Sequence, residues 1–138
     1  MAEIPNPPPE KIKQILKNSK VVAVVGLSPK PDRASNDVAV YLKKQGYKII
    51  PVNPGHDEIL GEKSYPSLSD IPEKVDIVDV FRRPEQVGPP IEGAIEIGAP
   101  VVWLQLGIRN DDEAQKAVDA GLTVIQDKCI KQELMSPF

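Results

Sequence analysis

Several residue types and patterns are scarce in this chain of 138 residues, and each scarcity excludes a class of protein. One cysteine cannot form an internal disulfide, which fits a reducing cytoplasm, where we expect the protein. A single histidine, His56, forms neither a zinc site nor a catalytic triad without partners, and we expect it in a solvent-facing loop. No apolar run approaches the roughly 20 residues of a membrane span. A net charge of −3 gives no reason to expect nucleic acid as a partner.

What the chain does contain is a series of short apolar runs separated by segments with helical spacing. The runs predict strands at residues 21–25, 47–52, 75–81, 101–106 and 122–126. The intervening periodicity predicts helices at residues 10–18, 35–46, 91–98, 110–121 and 128–135. We therefore predict an α/β fold, a three-layer Rossmann-like doubly wound parallel sheet of about five strands in the order 3-2-1-4-5. Proline-rich residues 1–9 are predicted as an extended N-terminal arm, and residues 10–138 as a single domain.

In such a sheet a ligand binds beyond the carboxyl ends of the strands, at the switch between the first and fourth strands. The ends fall at residues 26–28, 53–54, 81–83 and 105–107, which we call the rim. Gly26 opens a turn into a helix, with Ser35 as the expected N-cap, and backbone N–H groups there suit a phosphate. Lys30 and Arg33 beside this turn, with Arg82 and Arg83 across the rim, favour a polyphosphate. The alternative is a solvated loop with ordinary surface cations.

The first loop departs from known nucleotide fingerprints. It supplies one of the three glycines of GxGxxG, and Asn53 stands where an NAD site has an acidic residue for the ribose diol. Both departures count against NAD, although the arginines leave NADP open. No Gly-Lys-Ser/Thr follows a strand, so a Walker loop is excluded.

Six pieces of the sequence carry a resemblance to a known family: VVGLSPKPDRAS, YLKKQGYKIIPVNPG, SLSDIP, VDIVDVFRRPE, VWLQLGI and DKCIKQE. Together they resemble the stand-alone CoA-binding domain family, which is similar to the N-terminal CoA-binding domain of the succinyl-CoA synthetase alpha subunit. The resemblance implies coenzyme A at the rim. It implies that the pyrophosphate is contacted by Gly26, Leu27, Ser28 and Arg33, and that the adenosine and its phosphates are flanked by Phe81, Arg82 and Arg83. The side of the site at the second strand would be lined by Asn53 and Pro54, and the opposite wall by Gln105, Leu106 and Gly107.

Our leading hypothesis is that the chain binds coenzyme A or an acyl-CoA as a non-catalytic carrier, sensor or regulatory module, with a CoA-using enzyme as a protein partner. The synthetase subunit has a second domain with a phosphorylated histidine, which this sequence does not match, so we do not expect acid–thiol ligation by this chain alone. The alternative is an NAD(P)-binding enzyme or redox sensor.

Two further groups have reactive side chains. Cys129 lies at the start of the last predicted helix, where the helix dipole and Lys128 favour a thiolate, so a mixed disulfide with the CoA thiol is one hypothesis. A small, partly buried side chain is the other. Asp76 and Asp79 interrupt the third apolar run, and we expect them to bond nearby backbone donors or to cap loops.

Overall fold

A computed structural model describes residues 3–136, so residues 1, 2, 137 and 138, at the ends of the predicted arm and domain, lie outside the described range. The helices are α1 (Pro9–Asn18), α2 (Ala34–Lys44), α3 (Gly88–Ile97), α4 (Asp111–Asp119) and α5 (Ile130–Met135). The strands are β1 (Val21–Val25), β2 (Lys48–Val52), β3 (Glu58–Ile59), β4 (Glu62–Lys63), β5 (Ile77–Val80), β6 (Val101–Leu104) and β7 (Thr123–Ile125). Short 3-10 turns lie at Leu68–Asp70 and Pro84–Gln86. None of the described helices is long and apolar enough to cross a bilayer.

The central feature is a parallel sheet in the order β2-β1-β5-β6-β7, which confirms the predicted α/β class. Beyond β2, Tyr65 pairs in parallel with Val52, because its N–H donates to Pro51 O and its carbonyl accepts from Asn53 N. With this segment counted as the third strand, the sheet follows the predicted 3-2-1-4-5 pattern, and β7 adds a sixth position. β3 and β4 form a separate antiparallel hairpin.

The assignment of the third strand needs a correction. The run at residues 75–81 was expected third, beside the second strand, but its central part is β5 and pairs with β1. All four residues of β5 are buried, so the strand needs cover on both faces and a neighbour on each side, which the centre of the sheet provides. The half-buried segment at Tyr65 takes the outer position instead. The switch point therefore lies between β1 and β5, and residues 105–107 are one strand further away than expected.

Helices cover the sheet on both faces, in three layers. Apolar side chains of α1, α2 and α5 pack on the face that carries Val22, Val24 and Trp103. The turn at Leu68–Asp70, with α3 and α4, packs on the opposite face. Each large aliphatic side chain buried this way contributes about 1.5–3 kcal/mol, which explains why the strands are almost continuously apolar.

Gly26 ends β1 and sets where the first loop can run. Its φ is +86°, and a Cβ at this position would lie 2.5 Å from the Phe81 carbonyl oxygen. Its N–H donates to Val52 O at 3.0 Å. The backbone after β1 thus passes directly against the carboxyl end of β5, which only glycine permits.

Asp79 is a carboxyl group at the centre of the sheet. It is fully buried, in register with Val24 of β1 and Trp103 of β6. Gln105 Nε2 donates to its Oδ1, while Oδ2 has no partner within the described residues. Burial raises the pKa of Asp79 to about 8, and the hydrogen bond from Gln105 opposes that rise. The expectation that Asp79 bonds backbone donors is wrong, whereas Asp76 does accept from Lys20 N and Val21 N.

Residues before α1 pack along the far side of the domain, beside the end of β7. The Asn6 carboxamide donates to Gln126 O at 2.8 Å and accepts from Gln126 N at 2.7 Å. Arg109 donates to Ile4 O at 2.7 Å and forms an ion pair with Glu3. These contacts hold the arm against the folded chain.

Gly26→Ala should strongly destabilise the protein, since the new methyl group meets the Phe81 carbonyl as well as an unfavourable φ. We expect a loss of about 2–5 kcal/mol in the free energy of unfolding, measured by urea denaturation. Gly46→Ala is the matched control, because Gly46 has a φ of +95° but no atom of residues 3–136 within 4 Å of its Cβ position. It should cost about 1–2 kcal/mol. Equal losses in the two variants would contradict the close approach at Gly26.

Asp79→Asn should remove one component of the pH dependence of stability. The folded protein keeps the Asp79 proton to about pH 8, whereas the unfolded chain releases it near pH 4. Between these values the folded state binds more protons, so rising pH destabilises the wild type by about 1.4 kcal/mol per pH unit through this group. The urea midpoint of the variant, relative to that of the wild type, should be higher at pH 8 than at pH 5. Parallel pH profiles would show that Asp79 is ionised at neutral pH.

Candidate ligand-binding site

The carboxyl rim is formed from the loops that follow neighbouring strands. Residues 26–28 follow β1, with residues 53–54 on one side and residues 81–83 on the other. The structure brings these three predicted segments together around the switch point between β1 and β5. Residues 105–107 follow β6 and form a more distant wall.

A pocket of about 630 Å³ opens at the rim, on the face covered by α3. Val25, Val52 and Leu68 form apolar parts of its lining. Apart from Pro54 and Arg82, its other lining residues were not among the predicted site residues: Pro66, Ser67, Ser69, Glu85, Gln86, Pro89, Pro90, Glu92, Gly93 and Glu96. For the lining residues of the turn, the sequence signal was the non-periodic, proline-flanked stretch at residues 66–72. The lining residues at 85–96 had no signal, since a pocket between a turn and a helix leaves no spacing pattern.

Gly93 explains how α3 comes close to the turn at Leu68–Asp70. A Cβ at Gly93 would lie 2.9 Å from Leu68 Cδ1, so the Leu68 side chain packs directly on the helix backbone. This contact places Leu68, only 5% exposed, at the base of the pocket. The pocket wall is therefore preformed by core packing.

Arg82 connects the first loop with the pocket. Its Nε lies 3.4 Å from the Cβ position of Gly26, and the same side chain lines the pocket. The half-buried guanidinium forms no hydrogen bond or ion pair within residues 3–136. Arg109, by contrast, is paired with Glu3 and Asp111. An unpaired guanidinium beside a concave apolar surface is suited to an anionic ligand.

Other cations around the first loop are also free. The side chains of Lys30, Arg33 and Arg83 are exposed, and none is hydrogen-bonded or ion-paired in the described part of the chain. α2 begins after Arg33, which acts as the N-cap residue without a side-chain bond. The first turn of α2 thus presents its backbone N–H groups without a capping side chain, as a phosphate site requires.

The polar side chains predicted at the first loop also brace it. Ser35 is not the N-cap but lies within α2, and its buried Oγ accepts from Ser28 N at 3.0 Å. Asn36 Nδ2 donates to Ser28 O, and Asn53 Nδ2 donates to Leu27 O, both at 2.9 Å. These bonds join β2 and α2 to the loop and hold its shape. Contacts of Ser28, Ser35 and Asn53 with a ligand remain a prediction.

The turn after β2 is built on Asn53, whose Oδ1 accepts from Gly55 N at 2.9 Å. Pro54 and Gly55 are exposed at its tip. His56 follows in an exposed position, as expected. No carboxylate stands at the end of β2.

The far half of the rim is fixed by bonds between β6 and the start of α5. Gly107 N donates to Asp127 Oδ1 at 2.7 Å, and Trp103 Nε1 donates to Lys128 O at 2.8 Å. Cys129 is the N-cap residue of α5 and is half-buried. α5 also contacts α2, since Lys131 pairs with Asp37 at 2.9 Å. Cys129 therefore lies on the side of the sheet where α2 begins.

Metal binding has no support in this part of the chain. Within residues 3–136 no group of three or more histidine, cysteine, aspartate or glutamate side chains is placed to hold a metal ion.

Comparison with known proteins shows the family to which the chain belongs. Residues 20–135 match a family described as a CoA binding domain. The chain is 49% identical over 126 residues to the uncharacterized protein YneT of Bacillus subtilis, covering 91% of this chain and 93% of that one. A solved structure of a hypothetical protein from Pyrococcus horikoshii superposes with a TM-score of 0.92 at 41% identity, covering 98% of this chain and 97% of that one.

A longer relative points the same way. Over 88 residues the chain is 36% identical to the ADP-forming acetate–CoA ligase I of Archaeoglobus fulgidus. The match covers 58% of this chain but only 13% of the ligase. With the family match over most of its length, this chain belongs to the CoA-binding domain family and is related to the CoA-binding domains of ADP-forming acetate–CoA ligases.

Proposed function

We propose that the protein binds coenzyme A or an acyl-CoA at the rim, as a carrier, sensor or regulatory module without catalysis of its own. The observation that carries this proposal is the unpaired Arg82 guanidinium between the Gly26 loop and the apolar pocket. Membership of the CoA-binding domain family supplies the ligand class.

The geometry supports one orientation of the ligand. The pyrophosphate takes the open start of α2, where Lys30 and Arg33 add positive charge. The adenosine enters the pocket, whose floor of Val25 and Leu68 suits a flat aromatic base. Arg82 then lies between the two parts of the ligand.

Acidic side chains at the pocket mouth restrict where the phosphates lie. Glu92 and Glu96, one turn apart on α3, are exposed lining residues, and Glu85 lies on the preceding turn. Carboxylates repel phosphates but accept hydrogen bonds from the amino group of adenine. The phosphates therefore belong on the Arg82 and Arg83 side of the pocket.

The relatives support binding more than ligation. The acetate–CoA ligase of Archaeoglobus fulgidus is named for a reaction that uses CoA, and the match is confined to 13% of its length. We therefore propose that this chain binds CoA as the ligase does, but not that it catalyses the ligation. A CoA-using enzyme is then the class of protein partner we propose.

An NAD(P)-binding function is the alternative. Asn53 stands where a ribose-binding carboxylate is needed, and its amide is already committed to Leu27 O and Gly55 N. This commitment disfavours NAD, and the free arginines are the feature that favours NADP.

Thermal shifts with CoA, acetyl-CoA, NAD and NADP, measured side by side, test the proposal. We expect the melting temperature to rise with CoA or acetyl-CoA and to stay unchanged with NAD, since a ligand that binds only the folded state stabilises it. A shift with NAD or NADP alone would overturn the CoA assignment.

Arg82→Ala should weaken CoA binding by about 1–3 kcal/mol, because it removes a charge-assisted contact to phosphate. Arg83→Ala should act in the same direction. Lys20→Ala is the control, since Lys20 is exposed at the amino end of β1, away from the rim. Isothermal titration calorimetry provides the dissociation constants, and unchanged affinity in Arg82→Ala would remove Arg82 from the site.

Cys129 should form a mixed disulfide with CoA when the protein is incubated with CoA disulfide. The Cys129 thiolate attacks one sulfur of the reagent, a new S–S bond forms, and one CoA thiolate leaves. Mass spectrometry should show a single CoA adduct that dithiothreitol reverses and that Cys129→Ser lacks. Glutathione disulfide is the control reagent, and it should label more slowly if the rim directs the reaction. Absence of a CoA adduct would show that Cys129 has no such role.

A further inference from the structure

The buried contact between Asp79 and Gln105 has a consequence at the rim. Gln105 follows β6, is 4% exposed, and lies on the same face of the sheet as Trp103. Its Nε2 donates inward to Asp79 Oδ1. One end of the Gln105 carboxamide is therefore committed to the interior.

The other end of this carboxamide is available. Gln105 Oε1 accepts no hydrogen bond within residues 3–136, yet it does not belong to the buried unpartnered atoms, so it reaches solvent. The Gln105 backbone is held separately, since its carbonyl accepts from Ile108 N at 2.9 Å. Backbone and amide are thus both fixed, and a hydrogen-bond acceptor reaches solvent at the end of β6.

Apart from its bond with Gln105, the Asp79 carboxyl has apolar surroundings. Its strand neighbours in register are the apolar Val24 and Trp103, and its Oδ2 has no partner within the described residues. A buried polar atom without a partner costs about 1–3 kcal/mol, and an apolar residue at this position would avoid that cost. The group therefore calls for a role outside core packing.

We infer that Asp79 is a positioning residue that fixes the orientation of the Gln105 carboxamide. In this orientation the Gln105 amide oxygen is directed toward the rim, where it accepts a hydrogen bond from the pantetheine arm of the ligand. This inference rests on the proposed function, because it assumes a CoA-type ligand. The two amide N–H groups and the hydroxyl group of pantetheine are the donors it recognises.

The path of the ligand across the rim places these donors near Gln105. The pocket lies on the face covered by α3, and the start of α2 lies on the opposite face. A ligand with adenosine in the pocket and pyrophosphate at α2 has already crossed the sheet edge. Its remaining length extends along the face of α2, where Gln105 lies.

Comparing the affinities for two ligands distinguishes the pantetheine contact of Gln105 from the contacts of the rest of the site. CoA carries pantetheine, whereas adenosine 3′,5′-bisphosphate has the same adenosine and 3′-phosphate without the arm. Gln105→Met keeps the length of the side chain and removes its hydrogen bonds. Calorimetry should show about tenfold weaker CoA binding in this variant and unchanged binding of adenosine 3′,5′-bisphosphate.

Asp79 variants test the positioning role. Asp79→Leu removes the acceptor for Gln105 Nε2, so it should weaken CoA binding several-fold without changing adenosine 3′,5′-bisphosphate binding. Asp79→Asn keeps an acceptor oxygen and should restore the wild-type affinity ratio of the two ligands. The Gln105 side-chain amide signal in ¹⁵N NMR should move to the value of a free amide in Asp79→Leu only.

Each outcome decides between the proposals. If the wild type binds neither ligand, the proposed function is wrong. If it binds both, and Gln105→Met lowers neither affinity or lowers both equally, only the role of Gln105 is overturned. If Gln105→Met shows the selective loss but Asp79→Leu does not, Asp79 has no positioning role.

Discussion

The close approach of the Gly26 backbone to the Phe81 carbonyl is the contact on which the rim depends. It joins the end of β1 to the end of β5, the strands between which the chain changes direction across the sheet. Because these ends touch, Arg82 extends over the first loop and also reaches the pocket. A larger residue at Gly26 would separate the loop from the guanidinium, and the first loop would no longer lie beside Arg82.

The fold could be predicted from local pattern, since buried parallel strands read as apolar runs and the helices between them carry 3.6-residue spacing. The lateral position of β5 could not. A run such as VDIVDVF shows that a strand is buried on both faces, but which strands lie beside it depends on the crossover. The segment that takes the outer position forms a single bridge at Tyr65, too short to leave any periodic signal.

The predicted site residues came from loops at strand ends, and the structure places those loops at one edge of the sheet. Sequence reasoning did not separate residues that face a ligand from those that hold the loop. Ser35 illustrates this limit: a hydroxyl near a helix start reads as a cap, but it accepts from Ser28 N within the loop. The Asp79–Gln105 pair joins residues 26 positions apart, so no spacing rule connects them.

The bonds between Asn6 and Gln126 occupy the backbone of the residue that follows the last strand. Among the described strands, β7 pairs only with β6, so its other side is an edge at which a strand from a second molecule could pair. The Asn6 carboxamide donates to the carbonyl and accepts from the N–H of Gln126, as one peptide group of an added strand would. The arm thereby occupies the peptide group just beyond β7, so an added strand could not extend its pairing past the end of β7.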